Sequence, residues 1–105
     1  MAIPNISLII STYNRPGALS KVLGGVAGQV TPPVEVLLAD DGSSELTRAV
    51  VEKLTAHVSA PLRHFWHEHF GFRKTKILNQ AITEAHGDYI VLMDGDCVPH
   101  RRFIA

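Results

Sequence analysis

Short apolar runs alternate with amphipathic helical patterns along this chain of 105 residues, and this alternation constrains the fold more than any other feature. The runs at 6–12, 34–39, 62–66 and 89–93 have the length and the composition of strands. A stripe of apolar residues at helical spacing follows each of the first three runs. Strands that alternate with helices form a parallel sheet with right-handed crossovers. The sequence therefore predicts an α/β fold in which helices flank a parallel sheet.

Each predicted helix has start or stop signals and one apolar face. Pro16 suits the first turn of the first helix, and Pro32-Pro33 ends its pattern. The second helix follows the turn Asp41-Gly-Ser-Ser44, and Gly87 is predicted to close the third. The run at 62–66 is less apolar than the others and is predicted to be an edge strand. The apolar stripes are Leu19, Val22, Leu23, Val26 and Val30, then Leu46, Ala49, Val50 and Leu54, then Ile77, Leu78, Ala81, Ile82 and Ala85.

The composition indicates one soluble globular domain over residues 1–105. Ten basic and ten acidic residues cancel, and no basic stripe is present, so neither a nucleic acid nor an anionic membrane is an expected partner. No apolar run approaches the roughly 18–20 residues that span a bilayer, and no cleavable leader is recognisable, so we expect a cytoplasmic location. The single cysteine, Cys97, excludes an internal disulfide and is expected to be a small buried residue.

Polar clusters follow three of the predicted strands. They are Ser11-Thr-Tyr-Asn-Arg15, Asp40-Asp41-Gly-Ser43 and Asp94-Gly-Asp96. Parallel sheets bind ligands outside the carboxyl ends of their strands, so we expect the three clusters to converge on one rim. If the strand order is 3-2-1-4, the topological switch point lies between the first and fourth strands, beside Tyr13 and the aspartate pair.

Asp94 and Asp96 are the candidate metal ligands. Their carboxylate oxygens suit Mn²⁺ or Mg²⁺, which keep coordination positions for water and for substrate phosphates. Acidic pairs are also common in solvated turns, and only the convergence with the other clusters favours a metal site. His67-Glu-His69 has the spacing of zinc ligands but lacks an evident third ligand, so zinc is not expected. His100 is expected at the surface.

In order and spacing, these clusters resemble the motifs of nucleotide-diphospho-sugar transferases of the GT-A fold, specifically the family 2 glycosyltransferases. Ser11-Thr-Tyr-Asn is similar to the opening motif of the family, Leu38–Ser43 to its second-strand acidic motif, and Asp94-Gly-Asp96 to its metal motif. The segment Gly71–Ala81 is similar to bacterial members that build capsule or lipopolysaccharide glycans. The resemblance implies a Rossmann-like GT-A fold truncated after the metal motif, so that residues 1–105 form the donor-binding portion and the acceptor-binding half is absent.

The same resemblance implies a hexosyltransferase-like enzyme that moves a sugar from a UDP-sugar donor to a glycan or other hydroxyl acceptor. Transfer would depend on Mn²⁺ or Mg²⁺, would invert the anomeric carbon, and would belong to bacterial surface polysaccharide synthesis. The general base is expected beyond Ala105, so the chain alone is expected to be inactive. The implied donor-binding residues are Ser11, Thr12, Tyr13, Asp40, Asp41, Arg73 and Asp94, and the implied metal ligands are Asp96 and Asp94.

Each implied contact has a chemical reason and a plainer alternative. The ring of Tyr13 can stack on a base or can be a packing residue. Asp41, and less favourably Asp40, can accept the imide N–H of uracil, whereas Asp40 also suits a turn or a helix cap. Arg73 can donate in a fork to a diphosphate or lie on a solvated helix face, and Lys76 is a weaker second cation.

Two other functions compete with sugar transfer. A sugar-1-phosphate nucleotidyltransferase shares the sheet, but it needs a glycine-rich phosphate loop, which Thr12-Tyr-Asn-Arg-Pro16 does not provide. The chain can instead be a nucleotide-binding or interaction module without turnover. Apolar surface around Val91, Met93 and Phe103 is expected to be partly exposed and to favour self-association.

Overall fold

The computed structural model describes residues 5–71 and 73–104, which form four strands and three helices. All strand pairings in this part of the chain are parallel, in the order β3-β2-β1-β4. The predicted α/β architecture and the edge position of the third strand are confirmed, and the strand order is the one that puts the switch point between the first and fourth strands. The elements are β1 (Ile6–Thr12), α1 (Pro16–Ala27), β2 (Glu35–Asp40), α2 (Glu45–Thr55), β3 (Leu62–Trp66), α3 (Lys74–Thr83) and β4 (Tyr89–Asp94).

The two central strands are buried on both faces, as their nearly continuous apolar runs require. Leu8 and Ile10 of β1 face α1 and α2 in one hydrophobic cluster. Ile9, on the opposite face of the same strand, packs with Leu37 against Ile77 of α3. The sheet therefore lies between two helices on one side and one helix on the other. Among the described residues, no helix is both long and apolar enough to span a membrane.

The ends of α1 and the face of α2 differ from the predictions. Helix α1 ends at Ala27, and Val30 lies outside it with 60% of its surface exposed. In α2 the buried residues are Thr47 and Val51, whereas Leu46 is 69% exposed. The predicted stripe is confirmed at Leu54, which packs against the core, and is wrong at Leu46 and Ala49, which are exposed, because the buried stripe of this helix contains a threonine.

Helix α3 ends at Thr83, four residues before the glycine that was predicted to close it. Gly87 serves a different purpose, because a Cβ atom there would lie 2.6 Å from Ser7 Oγ. Its N–H donates to the same oxygen at 2.8 Å. The predicted apolar stripe of α3 is confirmed for Ile77 and Ala81, which are buried, while Ala85 packs on the same cluster from beyond the helix end. Strand β2 is shifted by one residue from the predicted 34–39.

Candidate functional site

An open cavity of about 670 Å³ lies at the carboxyl ends of β1 and β4, which is the switch point of the strand order. Its volume is in the range of sites for small organic ligands. All three polar clusters reach it, as predicted from the parallel topology. The lining residues are Ser11, Thr12, Tyr13, Arg15, Asp41, His69, Gly71, Lys74, Asp94, Gly95 and Asp96.

Asp94 is fixed at the end of β4 by the neighbouring strand. Ser11 and Asp94 are partners in the parallel β1–β4 register, and Ser11 Oγ donates to Asp94 Oδ1 at 3.2 Å. Lys74 Nζ lies 3.1 Å from the same oxygen. The hydrogen bond and the positive charge of Lys74, with a smaller contribution from Ser11, hold the pKa of Asp94 below its usual value. Gly95 allows this approach, because a Cβ atom there would lie 2.5 Å from Ser11 O.

The carboxylates of Asp94 and Asp96 fit a hard cation that shares its coordination with a ligand. Both residues line the cavity and are solvent-exposed. In residues 5–71 and 73–104, no group of three or more His, Cys, Asp or Glu side chains could hold a metal ion by itself. Mg²⁺ and Mn²⁺ accept such a site, because water and phosphate oxygens complete their coordination, whereas a structural zinc ion needs a full protein shell.

The side chain of Asp41 anchors the loop that follows β3. Its Oδ1 lies 2.6 Å from His67 Nε2, and its Oδ2 accepts the Arg73 N–H at 3.2 Å. Its carbonyl oxygen lies 3.0 Å from His69 Nδ1. Carboxylate and carbonyl oxygens only accept, so both imidazoles donate. The His67-Glu-His69 spacing therefore serves Asp41 and not zinc, a role that the sequence analysis missed.

Asp40 does not reach the cavity, contrary to its predicted place among the donor-binding residues. It is fully buried, with Oδ1 accepting the Ser43 N–H at 2.8 Å and Oδ2 lying 2.7 Å from His64 Nε2. Burial raises the pKa of Asp40, but the hydrogen bonds from His64 and Ser43 outweigh it and hold that pKa below its usual value. The alternative of a turn residue describes Asp40 correctly.

Arg73 is also turned away from the cavity. Its guanidinium donates to Glu68 O at 2.7 Å and lies 5.9 Å from the centre of the Phe70 ring. Its neighbour Lys74 lines the cavity instead, although the sequence pattern did not indicate it. Lys76, the predicted second cation, is exposed and does not line the cavity. Which of Arg73, Lys74 and Lys76 reaches the cavity depends on the direction of each side chain at the start of α3. The sequence alone does not specify these directions.

Tyr13 stacks on His69, with ring centroids 4.4 Å apart and planes at 19°. The tyrosine remains 42% exposed, which leaves ring surface for a ligand in the cavity that it lines. The adjacent residue Asn14 has φ 46° and ties this loop to the β2 loop. Its N–H donates to Ser43 Oγ at 2.8 Å, and its Oδ1 accepts the Ser44 N–H at 2.7 Å.

Two further residues near the aspartate pair were considered from sequence. Cys97 is exposed, so the prediction of a buried hydrophobic residue is wrong. Its Sγ lies 3.6 Å from Asp96 Oδ1, and the hydrogen bond to that carboxylate raises the pKa of the thiol. His100 is exposed, as expected.

Comparisons with known proteins agree with these motifs. The model of the family described as Glycosyl transferase family 2 matches residues 7–105. An uncharacterized glycosyltransferase of Mycoplasma pneumoniae is 36% identical over 93 residues, which are 87% of this chain and 31% of the relative. This chain therefore spans about a third of the length of that relative.

Two solved structures share the fold. A mannosyltransferase from Pyrobaculum calidifontis, in complex with GDP-Man and Mn²⁺, superposes with a TM-score of 0.82 at 25% identity, over 95% of this chain and 30% of its own. Residues 1–349 of S. aureus TarS, in complex with UDP-GlcNAc, also give a TM-score of 0.82, at 27% identity, over 92% of this chain and 28% of their own.

Proposed function

Because this chain belongs to glycosyl transferase family 2, we propose that its cavity binds a nucleoside diphosphate sugar whose sugar is transferred to a hydroxyl acceptor. The observation that carries the proposal is the convergence on a single cavity of the Tyr13 ring, the Lys74 ammonium and three carboxylates, those of Asp41, Asp94 and Asp96. These groups match the parts of such a donor in turn: a base that stacks, a diphosphate that attracts a cation, and a metal that bridges diphosphate and protein.

Tyr13 is the proposed platform for the base, and Asp41 the proposed acceptor for the imide N–H of uracil. Asp41 lines the cavity, and although both of its oxygens already accept hydrogen bonds, each has a second lone-pair position. This arrangement supports a uridine donor. Of the two structural neighbours, one was solved with GDP-Man and the other with UDP-GlcNAc, so base preference needs a direct test.

Asp96 is the proposed direct metal ligand, assisted by Asp94. Asp96 is exposed in the cavity, whereas one oxygen of Asp94 already contacts Lys74 and Ser11. A bound Mn²⁺ or Mg²⁺ supplies Lewis-acid stabilisation of the charge on the leaving diphosphate. The Mn²⁺ in the mannosyltransferase complex supports this choice of ion.

We further propose an inverting transfer to a glycan or other hydroxyl acceptor in bacterial surface polysaccharide synthesis. The support is the family itself and the similarity of Gly71–Ala81 to members with that role. Inversion needs a carboxylate that activates the acceptor hydroxyl, and within the described residues we assign this role to none.

Calorimetric titration of UDP, GDP and dTDP, with Mn²⁺ and with EDTA, tests the proposal. We expect UDP to bind most tightly and Mn²⁺ to tighten it at least about tenfold, a coupling of roughly 1.4 kcal/mol. Asp96→Asn should abolish the metal effect and leave metal-free UDP affinity within a few fold. Asp88→Asn, which removes an exposed carboxylate outside the cavity, is the matched control. Equal UDP affinity in EDTA and in Mn²⁺ would refute metal-linked donor binding.

A further inference from the structure

The ion pair between Lys74 and Asp94 joins two elements across the cavity. Lys74 is the first residue of α3 and Asp94 the last residue of β4, and the ammonium and carboxylate groups are 3.1 Å apart. Their side chains are 39% and 63% exposed. Arg15 also lines the cavity, but among the described residues it forms no ion pair with either aspartate. Lys74 is therefore the cation already in contact with the candidate metal site.

The two partners differ in how firmly they are held. Asp94 is paired to β1 through its backbone, and its carboxylate accepts the Ser11 hydroxyl. The ammonium of Lys74 ends a flexible four-carbon stem and contacts only Asp94 among the described side chains. If a second cation binds Asp94, the ammonium is the group that can move.

We propose that Lys74 is an exchangeable counter-ion of this site. In the metal-free protein its ammonium neutralises Asp94. When a divalent cation binds the two aspartates, charge repulsion displaces the ammonium, which then donates to the diphosphate of the donor. The inference rests on the proposed function, and it assigns Lys74 two opposite effects: it competes with the metal and it assists the nucleotide.

These opposite effects separate an exchanging lysine from a merely structural one. Without nucleotide, removing the ammonium frees an Asp94 oxygen, so Mn²⁺ should bind more tightly. The gain in Mn²⁺ affinity should be small, because an exposed ion pair such as Lys74–Asp94 contributes little free energy that the metal must overcome. With saturating Mn²⁺, the same change removes a charged donor to the diphosphate, so UDP should bind more weakly. A loss of local structure would weaken both ligands together.

Lys74→Met tests this inference in the full chain, with Lys76→Met as the matched control on the same helix, outside the cavity. Free Mn²⁺ is measured by electron paramagnetic resonance without nucleotide, and UDP binding by calorimetry in saturating Mn²⁺. We expect Lys74→Met to tighten Mn²⁺ about threefold and to weaken UDP about tenfold. Lys76→Met should change neither. Lys74→Arg, which keeps the charge, should retain most of the UDP affinity.

The outcomes are distinguishable from failure of the proposed function. If the unmodified protein binds UDP neither in Mn²⁺ nor in EDTA, the proposed function fails. If it binds UDP but Lys74→Met moves only one of the two affinities, moves both in the same direction, or moves neither, the exchange is refuted. Urea unfolding midpoints of all variants establish that each is folded.

Discussion

At the residue scale, the site depends on two glycines where loops make contact. Gly42 follows Asp40, the last residue of β2, and Asp41; its φ is +90°, and a Cβ atom there would collide with the backbone of His69. Gly95 stands between the two candidate metal ligands, against Ser11 O. Each glycine lets two polar segments approach closely enough to share one cavity. The requirement for glycine is therefore steric at both positions and also conformational at Gly42.

Replacing Gly42 with alanine should destabilise the protein. The substitution places a methyl group against backbone and forces a positive φ on a residue with a side chain, so we expect a loss of about 1–3 kcal/mol in the free energy of unfolding. Gly24→Ala is the matched control, because that glycine lies inside α1 with nothing within 4 Å of the added Cβ atom, and alanine should stabilise the helix by up to about 1 kcal/mol. Urea unfolding measures both. Equal effects of the same sign would contradict this account of Gly42.

Six of the eight residues predicted from the sequence to bind donor or metal line the cavity, whereas several residues that support them were not predicted. Motif residues at strand ends were predictable because parallel topology brings strand ends together. The histidines that hold Asp41 and Tyr13 were visible in the sequence, but their partners are 26 or more residues away. Contacts of that kind depend on how two loops pack, which periodicity does not describe. The exclusion of Asp40 and Arg73 from the cavity has the same origin.

At the scale of elements, the ends of strands are tied together by buried carboxylates. Glu35, at the amino end of β2, accepts the Ser7 hydroxyl of β1 at 2.6 Å and the N–H of His86. Arg63 of β3 lies 3.3 Å from it. This one side chain therefore links β1, β2, β3 and the segment before β4. Burial raises the pKa of Glu35, but the hydrogen bonds from His86 and Ser7 outweigh it and lower the pKa to about 2.

This network predicts a pH dependence of stability with a definite sign. The folded-state pKa of Glu35 is lowered from 4.5 to about 2. The contribution of Glu35 is therefore fully present above about pH 5 and is lost as the pH falls toward 2. Its size is on the order of 3 kcal/mol.

Urea unfolding at pH 6 and at pH 3 measures this contribution. Glu35→Gln should lower the free energy of unfolding more at pH 6 than at pH 3. Glu52→Gln, an exposed carboxylate on α2, is the control. If Glu35→Gln lowers the free energy of unfolding equally at both pH values, the folded protein does not preferentially stabilise the charged form of the Glu35 carboxylate.

At the scale of the whole molecule, the two faces of the sheet are covered unequally. Helices α1 and α2 pack against one face, where Val91 and Met93 are half-buried. Helix α3 covers β2 and β1 on the other face and leaves the outward residues of β4 open. Ile90 is 42% exposed and Leu92 55% exposed. The predicted exposure of apolar surface is confirmed at Phe103, which is 46% exposed, whereas Val91 and Met93 are half-buried and strand alternation exposes their neighbours instead.

This uncovered face predicts that the 105-residue chain self-associates. In the sheet that the described residues form, β4 is an edge strand with unpaired backbone groups beside an exposed apolar face, and both features favour pairing with a second copy. In sedimentation equilibrium we expect an average mass that rises above 11.5 kDa with concentration.

Leu92→Lys should shift association to concentrations about tenfold higher, since a charged side chain at the edge opposes both pairing and apolar contact. Leu46→Lys removes a leucine that is more exposed, 69% against 55%, and that lies on α2 instead of the edge strand, so it should leave the association unchanged. A mass that stays at 11.5 kDa over the whole concentration range would show that neither the edge nor the apolar face drives association. An equal response to both lysine substitutions would attribute any association to general apolar exposure and not to β4.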